Sequence, residues 1–596
     1  MFSRLLLLLK LFLLTVLVFA VQKPLFLWFN RDATVSAMDY LSVVWHGLSL
    51  DMTTAAYVVS VPWLLLAVLP DGAALRAGLR TWLAVAGAVV GLVFVADASL
   101  YAFWHFKLDS SIFIYTDKPG ESLASVSRGY VAARAAAVAA AAGLCVWLYW
   151  RAIPRQTSTT LAGRLAVLLA APLLVVMMRG GVGKGTANVS RAYYCENQLL
   201  NHSAVNAVFN LMYSLGKTED FASEYQFFSE EERAALMAGM YGVEADSTVA
   251  VLRTQRPDIL LVVWEGCGME VTRRSNCTPE LMQLMEEGVN FTRCYANSFR
   301  TDRGQLSLMA GWPAIPLTSL MKIPQKCEHL PALPRRLLEA GWETTYWYGG
   351  DLGFTNTGGY MHQAGFRRTV GEGDMALEGR HRTEWGWRDG PVMELVADSM
   401  EAAGEQDGRR PFFYTLMTLS SHEPWDVPTH RIEGDKRLNA FNYTDECLGR
   451  LVRRLKASPL WQNLLLIVTA DHGIYMDEGD DLASEKVTHI PMVWIGGAVN
   501  GHQCKDKLMN QSDLAATLLG QLGLEHGEFY WSRDVTDVGY KYPTAYNCYN
   551  ESVAFCDSTG YTVVGLKSPY VANPDTNRVR RARAILQTSY KMIDEL

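Results

Sequence analysis

Asp258-Ile-Leu-Leu-Val-Val-Trp-Glu265 and Leu464-Leu-Leu-Ile-Val-Thr-Ala-Asp471-His472-Gly473 decide how this chain is read. Each is a short, continuous apolar run that ends on a carboxylate. Runs of this length and composition read as strands buried on both faces, as in a parallel sheet. Between them, Asn297-Ser-Phe-Arg-Thr301-Asp-Arg-Gly304 places a hydroxyl in a polar, turn-prone segment. In open α/β sheets, ligands bind outside the carboxyl ends of the strands. Glu265, Asp471, His472 and Thr301 gathered there would suit a divalent metal that activates Thr301 as a nucleophile.

Around these two runs, short apolar segments alternate with helical stretches. Residues 258–264, 411–419 and 464–469 read as strands, and 278–287, 333–340 and 441–456 as helices. Alternation of this kind predicts a mainly parallel sheet covered by helices. The tail beyond residue 530 or so, rich in Tyr, Cys and Asn, predicts a small antiparallel sheet that ends in a helix around 578–593. The α/β domain is therefore expected over 255–596, with a small C-terminal subdomain.

The N-terminal part has a different character. Residues 1–180 are rich in Leu, Ala and Val, and five stretches approach the ~20 apolar residues that a spanning helix needs. They are Leu5–Val21, Thr53–Leu69, Trp82–Trp104, Val131–Trp150 and Leu161–Met178. The first is retained rather than cleaved on this reading, because four further spans follow. Arg4, Lys10, Arg76, Arg80, Arg151, Arg155 and Arg164 lie on one side. Lys23, Arg31, Lys107, Lys118 and Arg128 lie on the other. That moderate bias puts the N-terminus inside and the α/β domain outside, in a bacterium at the periplasmic or extracellular face of the cytoplasmic membrane. Residues 181–254 read as a juxtamembrane helical linker. Its Gly180-Gly-Val-Gly-Lys-Gly185 lacks the spacing of a phosphate loop.

The net charge of −7 over 596 residues gives no ground for a nucleic-acid partner. Nine of the ten cysteines lie outside the spans, which in an exported domain predicts disulfides. Cys548 with Cys556 is the first expected pair, because of the short loop, and Cys277 with Cys294 the second.

A set of ordered motifs extends the reading. Trp264-Glu265-Gly266, Arg300-Thr301-Asp302-Arg303-Gly304, Tyr348-Gly349-Gly350-Asp351, Trp385-Gly386, Ser420-Ser-His422-Glu-Pro424, Ala470-Asp471-His472-Gly473 and His489-Ile-Pro491 follow one another over about 230 residues. The segment resembles the alkaline phosphatase and sulfatase superfamily, and more narrowly its membrane-bound lipoteichoic acid synthase and phosphoglycerol transferase branch. The resemblance implies an alkaline-phosphatase-like fold and one divalent ion held by Glu265, Thr301, Asp471 and His472. Ligand softness leaves Mn²⁺, Mg²⁺ and Zn²⁺ open, with Mn²⁺ the first expectation. It also implies Thr301 as nucleophile, His422 as a catalytic histidine on the substrate side, Asp351 as a substrate contact, and His489 near metal or phosphate. Arg300 and Arg303 are candidates to hold phosphate oxygens. Trp385 and Trp387, near Asp389, either line the pocket or pack.

Two departures narrow the function. Sulfatases need a Cys or Ser nucleophile in a Cys/Ser-x-Pro-x-Arg setting, and this chain has Thr301 there. The Gram-positive synthases carry an aromatic-Asn-Arg cluster where this chain has Phe354-Thr-Asn356-Thr357, without Arg. The expected activity is transfer of a phosphoglycerol head group from phosphatidylglycerol to a glycan or lipid alcohol through a phosphothreonine. Phosphoethanolamine transfer and a non-enzymatic, lipid-binding relative are the rival readings.

Overall fold

The chain divides into two units, 1–219 and 220–596. The boundary falls inside the segment read as a linker. A computed structural model describes residues 3–31, 35–104, 106–110, 112–113, 127–156, 160–215, 221, 223–242, 247–274, 276–316, 318–477 and 483–596. Lys118 lies outside the described residues.

The first unit is helical: α1 (Ser3–Asn30), α2 (Asp39–Val68), α3 (Ala73–Trp104), α4 (Arg128–Ala152), α5 (Leu161–Leu168) and α6 (Ala171–Arg179). Five stretches in it are long and apolar enough to cross a membrane, the last being Leu161–Arg179. That last stretch is two pieces rather than one helix. Pro172 opens the second piece, where a missing N–H does not interrupt the ladder. Polar groups inside the unit are met in pairs. Arg4 Nη1 donates to the carbonyls of Leu66 and Leu69 at 2.6 and 2.7 Å. Lys23 pairs with Asp51, and Lys107 with Asp97, all four buried. Asn206 Nδ2 donates to Asp51 Oδ1 at 3.0 Å, which ties the short helices Gln198–Ala204 and Ala207–Leu215 onto α2.

The second unit is built on an eight-stranded sheet. Its strands are β1 (Asp258–Trp264), β2 (Val289–Phe291), β4 (Glu343–Tyr348), β5 (Arg368–Val370), β6 (Phe412–Met417), β7 (Leu464–Ala470), β9 (Met492–Ile495) and β10 (Gln503–Lys505). They lie in the order β10-β2-β9-β7-β1-β6-β4-β5. Every neighbouring pair is parallel except the two that β9 makes with β2 and β7. β1 and β7 are central and every residue in them is buried, which is why each reads as an unbroken apolar run. The expected helices appear at Pro279–Glu287, Leu333–Glu339 and α9 (Lys436–Ala457), joined by α7 (Thr301–Ala310) and α8 (Asp389–Gly404). A small sheet of β3 (Cys294–Tyr295), β8 (His489–Ile490) and β11 (Met509–Asn510) stands beside the main one. The tail forms an antiparallel sheet, β12 (Ala545–Cys548) to β15 (Val571–Ala572), and closes with α10 (Thr576–Glu595).

The expected disulfides are absent: all ten cysteines are free. In the hairpin, Cys548 faces Val553 and Cys556 faces Ala545. The two thiols therefore stand three residues apart along the ladder, ~10 Å at the usual strand rise. A bridge needs Cα atoms within about 7 Å. Cys277 Sγ donates instead to the Val271 carbonyl at 3.1 Å, while Cys294 is held on β3 between β11 and β8.

One buried ion pair fastens the tail to the sheet domain. The Arg533 guanidinium grips Asp513 through Nε at 2.9 Å and Nη2 at 2.7 Å, and also donates to Thr544 Oγ1 and its carbonyl. Asp513 is fully buried. Arg533→Met leaves that carboxylate unpaired and is expected to cost about 3–5 kcal/mol. Urea unfolding of the purified chain checks this, and an unchanged midpoint would show that the pair carries no such weight.

Candidate active site

Trp264 of β1 pairs with Ala470 of β7 in parallel register. The next residue on each strand is therefore Glu265 and Asp471, side by side at the carboxyl edge of the sheet. Thr301, the first residue of α7, donates from Oγ1 to Glu265 Oε2 at 3.0 Å. His472 Nε2 stands 3.4 Å from Glu265 Oε1 and 3.4 Å from Asp471 Oδ2. The other ring nitrogen, Nδ1, lies 3.0 Å from the Gly473 carbonyl. With Nδ1–H donating there, Nε2 faces the two carboxylates, as a donor while the ring is protonated and with a lone pair once that proton is lost.

The approach of α7 depends on Gly304. A Cβ at this position would stand 2.1 Å from the Asp471 carbonyl oxygen, a backbone atom that cannot swing away. Tyr346 OH donates to Gln305 Oε1 at 2.6 Å and fixes the same turn of the helix to β4. Gln511 joins the nucleophile segment to β7. It accepts from Asn297 N at 2.7 Å and donates to the Ala470 and Asp471 carbonyls at 3.1 and 2.9 Å. Thr418 and Ser421 hold the backbone of Glu265: its N–H donates to Thr418 Oγ1 at 3.0 Å and its carbonyl accepts from Ser421 Oγ at 2.7 Å.

Asp471 Oδ1 accepts from Gly266 N and His472 N, both at 2.9 Å. Asp471 Oδ2 is buried and has no hydrogen-bond partner. An orphaned carboxylate oxygen in a dry place is costly unless something positive meets it. One ligand atom each from Glu265, Asp471 and His472 lies within 4.8 Å of the others, a spacing that could hold a metal ion. Two carboxylates, one imidazole and a neighbouring hydroxyl fit a hard or borderline divalent cation.

The charges are strongly coupled. Burial, reinforced by Glu265, pushes the Asp471 carboxyl up to about 7. Burial disfavours the His472 imidazolium, but Asp471 and Glu265 outweigh it and hold the ring's pKa up at about 10. Burial also opposes the Glu265 carboxylate, yet His472 keeps it below its ordinary range.

Of the other residues singled out in the sequence, His422 lies nearest to this cluster in its effect. Its charge adds to the pull on Glu265. The residue is half-buried, its ring centroid 4.6 Å from that of Trp385, which in turn meets Phe354 edge-on at 5.6 Å. Asp351 Oδ1 accepts from Gly353 N at 2.8 Å, a turn contact. Tyr348, at the end of β4, feels the Glu265 and Asp471 charges after burial and is raised by all three. Arg300 is exposed over the Phe299 ring. Arg303 is buried and donates from Nη2 to Asn550 Oδ1 at 3.0 Å, while its Nε and Nη1 have no hydrogen-bond partner. His489 uses Nε2 on the Thr292 carbonyl at 2.9 Å and stacks on Tyr295. Gln511, Thr418, Ser421 and Tyr346 escaped the sequence reading. Only Ser421, inside the Ser-Ser-His motif, carried any signal.

A cation entering this cluster displaces protons. Below about pH 7 both Asp471 and His472 carry one, and between about 7 and 10 His472 alone does. Affinity for a divalent ion is therefore expected to rise with pH, roughly tenfold per unit for each proton displaced. Calorimetric Mn²⁺ titrations in buffers of different ionisation heat count those protons. Metal affinity flat from pH 6 to pH 8 would contradict the assignment.

Residues 257–524 match the family model described as Sulfatase. A phosphoglycerol transferase I from Xanthomonas campestris is 26% identical over 264 residues, 40% of this chain and 37% of that relative. One from Salmonella arizonae is 24% identical over 215 residues, 33% of this chain and 28% of the relative. The matched region thus spans 28 to 37% of the length of these curated relatives. Among solved structures, an alkaline phosphatase superfamily protein from Vibrio parahaemolyticus aligns with a TM-score of 0.55 and 24% identity, covering 62% of this chain and 97% of that one. The lipoteichoic acid synthase LtaP from Listeria monocytogenes aligns with a TM-score of 0.51 and 16% identity, covering 62% and 99%. These likenesses show the fold. Residues 257–524 match the Sulfatase family model and share the α/β fold of these structures, and among the described residues five apolar helical stretches precede them in the chain.

Proposed function

We propose that the protein is an integral membrane phosphotransferase that moves a phosphoglycerol head group from phosphatidylglycerol to a glycan or lipid alcohol. The observation that carries this reading is the Thr301 hydroxyl, hydrogen-bonded at 3.0 Å to Glu265 beside the unpartnered Asp471 Oδ2. The names of the curated relatives favour phosphoglycerol as the group transferred.

Glu265, Asp471, His472 and Thr301 would hold one divalent ion, Mn²⁺ first and Mg²⁺ or Zn²⁺ otherwise. When bound it would lower the pKa of the Thr301 hydroxyl and neutralise charge on the phosphoryl oxygens. Thr301 sits at the start of α7, where the first N–H groups have no intrahelical carbonyl and favour an anion. Its Oγ1 attacks phosphorus in line, a Thr–O–P bond forms, and the bond to the diacylglycerol oxygen breaks. The Thr301 proton passes first to Glu265, its hydrogen-bond acceptor. His422, half-buried against Trp385, is the candidate to protonate the leaving alkoxide. An acceptor alcohol then displaces Thr301 by the reverse sequence. Trp385 and Phe354 would shield one side of the bound head group, and Arg300, exposed beside Thr301, is free to reach phosphate oxygens. The five apolar stretches would keep the enzyme in the bacterial cytoplasmic membrane with its lipid donor, the catalytic unit on the outer face.

Incubating the full chain with Mn²⁺ and phosphatidylglycerol labelled in the head group tests this. A phosphoglycerol adduct on Thr301 by mass, with diacylglycerol released, is expected. Thr301→Ala should lose the adduct and drop turnover by about three orders of magnitude or more. An adduct from phosphatidylethanolamine alone would redirect the proposal to phosphoethanolamine transfer. No adduct from either donor would reject covalent transfer and favour lipid binding without chemistry.

A further inference from the structure

Asp389, the first residue of α8, lies 3% exposed and outside the metal-ligand cluster, yet it gathers three elements. Oδ1 accepts from Leu419 N at 2.7 Å. Oδ2 accepts from Ser420 N at 3.0 Å and from Thr444 Oγ1 of α9 at 2.7 Å. Its own N–H donates to Ser420 Oγ at 2.9 Å. The segment gripped in this way is Thr418–His422, which follows β6. Within it, Thr418 and Ser421 hold the N–H and carbonyl of Glu265, and His422 leans on Trp385.

We propose that Asp389 is a positioning residue: its carboxylate clasps the Thr418–His422 loop, and through it sets the place of Glu265 and His422. The proposal rests on the metal-centred reading above. The clasp needs a carboxylate because separate oxygens face two backbone N–H donors. An amide has one acceptor oxygen, so Asp389→Asn must set an NH₂ against one of those N–H groups. The loop then shifts and Glu265 loses the fixed backbone that aims it. Outer groups that orient a ligand typically change metal affinity or activity 10–100-fold when lost.

Asp445 supplies the control. It is a buried carboxylate next to Thr444 on α9, but it accepts from Glu280 N and Leu281 N at 2.8 and 2.9 Å and so caps the helix Pro279–Glu287, not the loop. Asp389→Asn in the full chain, titrated calorimetrically with Mn²⁺ in detergent, is expected to raise the Kd ~10–100-fold. Head-group transfer lost at limiting Mn²⁺ should return in part at saturating Mn²⁺. Asp445→Asn should lower the metal-free thermal midpoint while leaving the Mn²⁺ Kd within about twofold. A folded Asp389→Asn protein with wild-type Kd would overturn the proposal. So would an equal loss of affinity in Asp445→Asn. Should Asp389→Asn fail to fold, Ser420→Ala removes the hydroxyl that accepts from the Asp389 N–H and bonds its carboxylate, and leaves the carboxylate itself in place. It should weaken Mn²⁺ about threefold or more, and an unchanged Kd again overturns the clasp. A wild-type chain that takes up no metal would instead reject the reading on which the proposal rests.

Discussion

The site depends on two carboxylates held together against their own repulsion. Because β1 and β7 are parallel neighbours with Trp264 opposite Ala470, Glu265 and Asp471 emerge at the same level in a place without water. Two unit charges a few ångströms apart cost far more there than in solvent. The molecule answers in part with His472, which carries a proton well above the ordinary range of an imidazole, and in part with a raised Asp471. The backbone N–H groups of Gly266 and His472 take one oxygen of Asp471 and leave the other bare. On the reading proposed above, a cluster balanced in this way would exchange its protons for a cation as the pH rises.

Glycine at two points lets the chain come close enough for this. Gly304 allows α7 to lie against the Asp471 carbonyl, which sets Thr301 within hydrogen-bond reach of Glu265. Gly473, after His472, leaves room for the Val487 carbonyl, 1.9 Å from where a Cβ would stand. Larger residues at either point would separate the hydroxyl from the carboxylates or push the imidazole out of line.

The strands, their order of appearance and the residues at their ends were legible in the sequence, because a strand buried on both faces leaves an unbroken apolar run and its C-terminal end is where polar residues resume. The placement of Glu265, Asp471, His472 and Thr301 at one edge follows from that. The partner of Arg303 was not legible, because the sequence does not show which way a helical side chain turns. Two residues beyond Thr301 on a helix is the opposite side, and Arg303 ends on Asn550. The disulfides failed for a related reason. A short loop between Cys548 and Cys556 says nothing of register, and the register sets them apart. His489, singled out by its motif, rests its Nε2 on the Thr292 carbonyl, a partner the sequence does not show. Gln511 and Asp389 left no trace, since each acts on residues that lie 30 to 41 positions away or more in the chain.

These remote residues mostly hold backbone, and this has a chemical consequence. Thr418, Ser421 and Gln511 bind the N–H and carbonyl groups of Glu265, Ala470 and Asp471, leaving the carboxylate oxygens alone. Had the same rigidity come from donors on the carboxylates, those lone pairs would be spent and their affinity for a cation reduced. Orientation is instead imposed through the peptide groups, whose hydrogen bonds must be made somewhere in a buried segment in any case. Glu265 keeps Oε1 toward His472 and Oε2 toward Thr301, and Asp471 keeps Oδ2 free. Rigid backbone with one carboxylate oxygen, Asp471 Oδ2, left without a hydrogen bond suits a cation, and it separates this cluster from an ordinary buried ion pair such as Asp513 with Arg533, where both carboxylate oxygens are hydrogen-bonded.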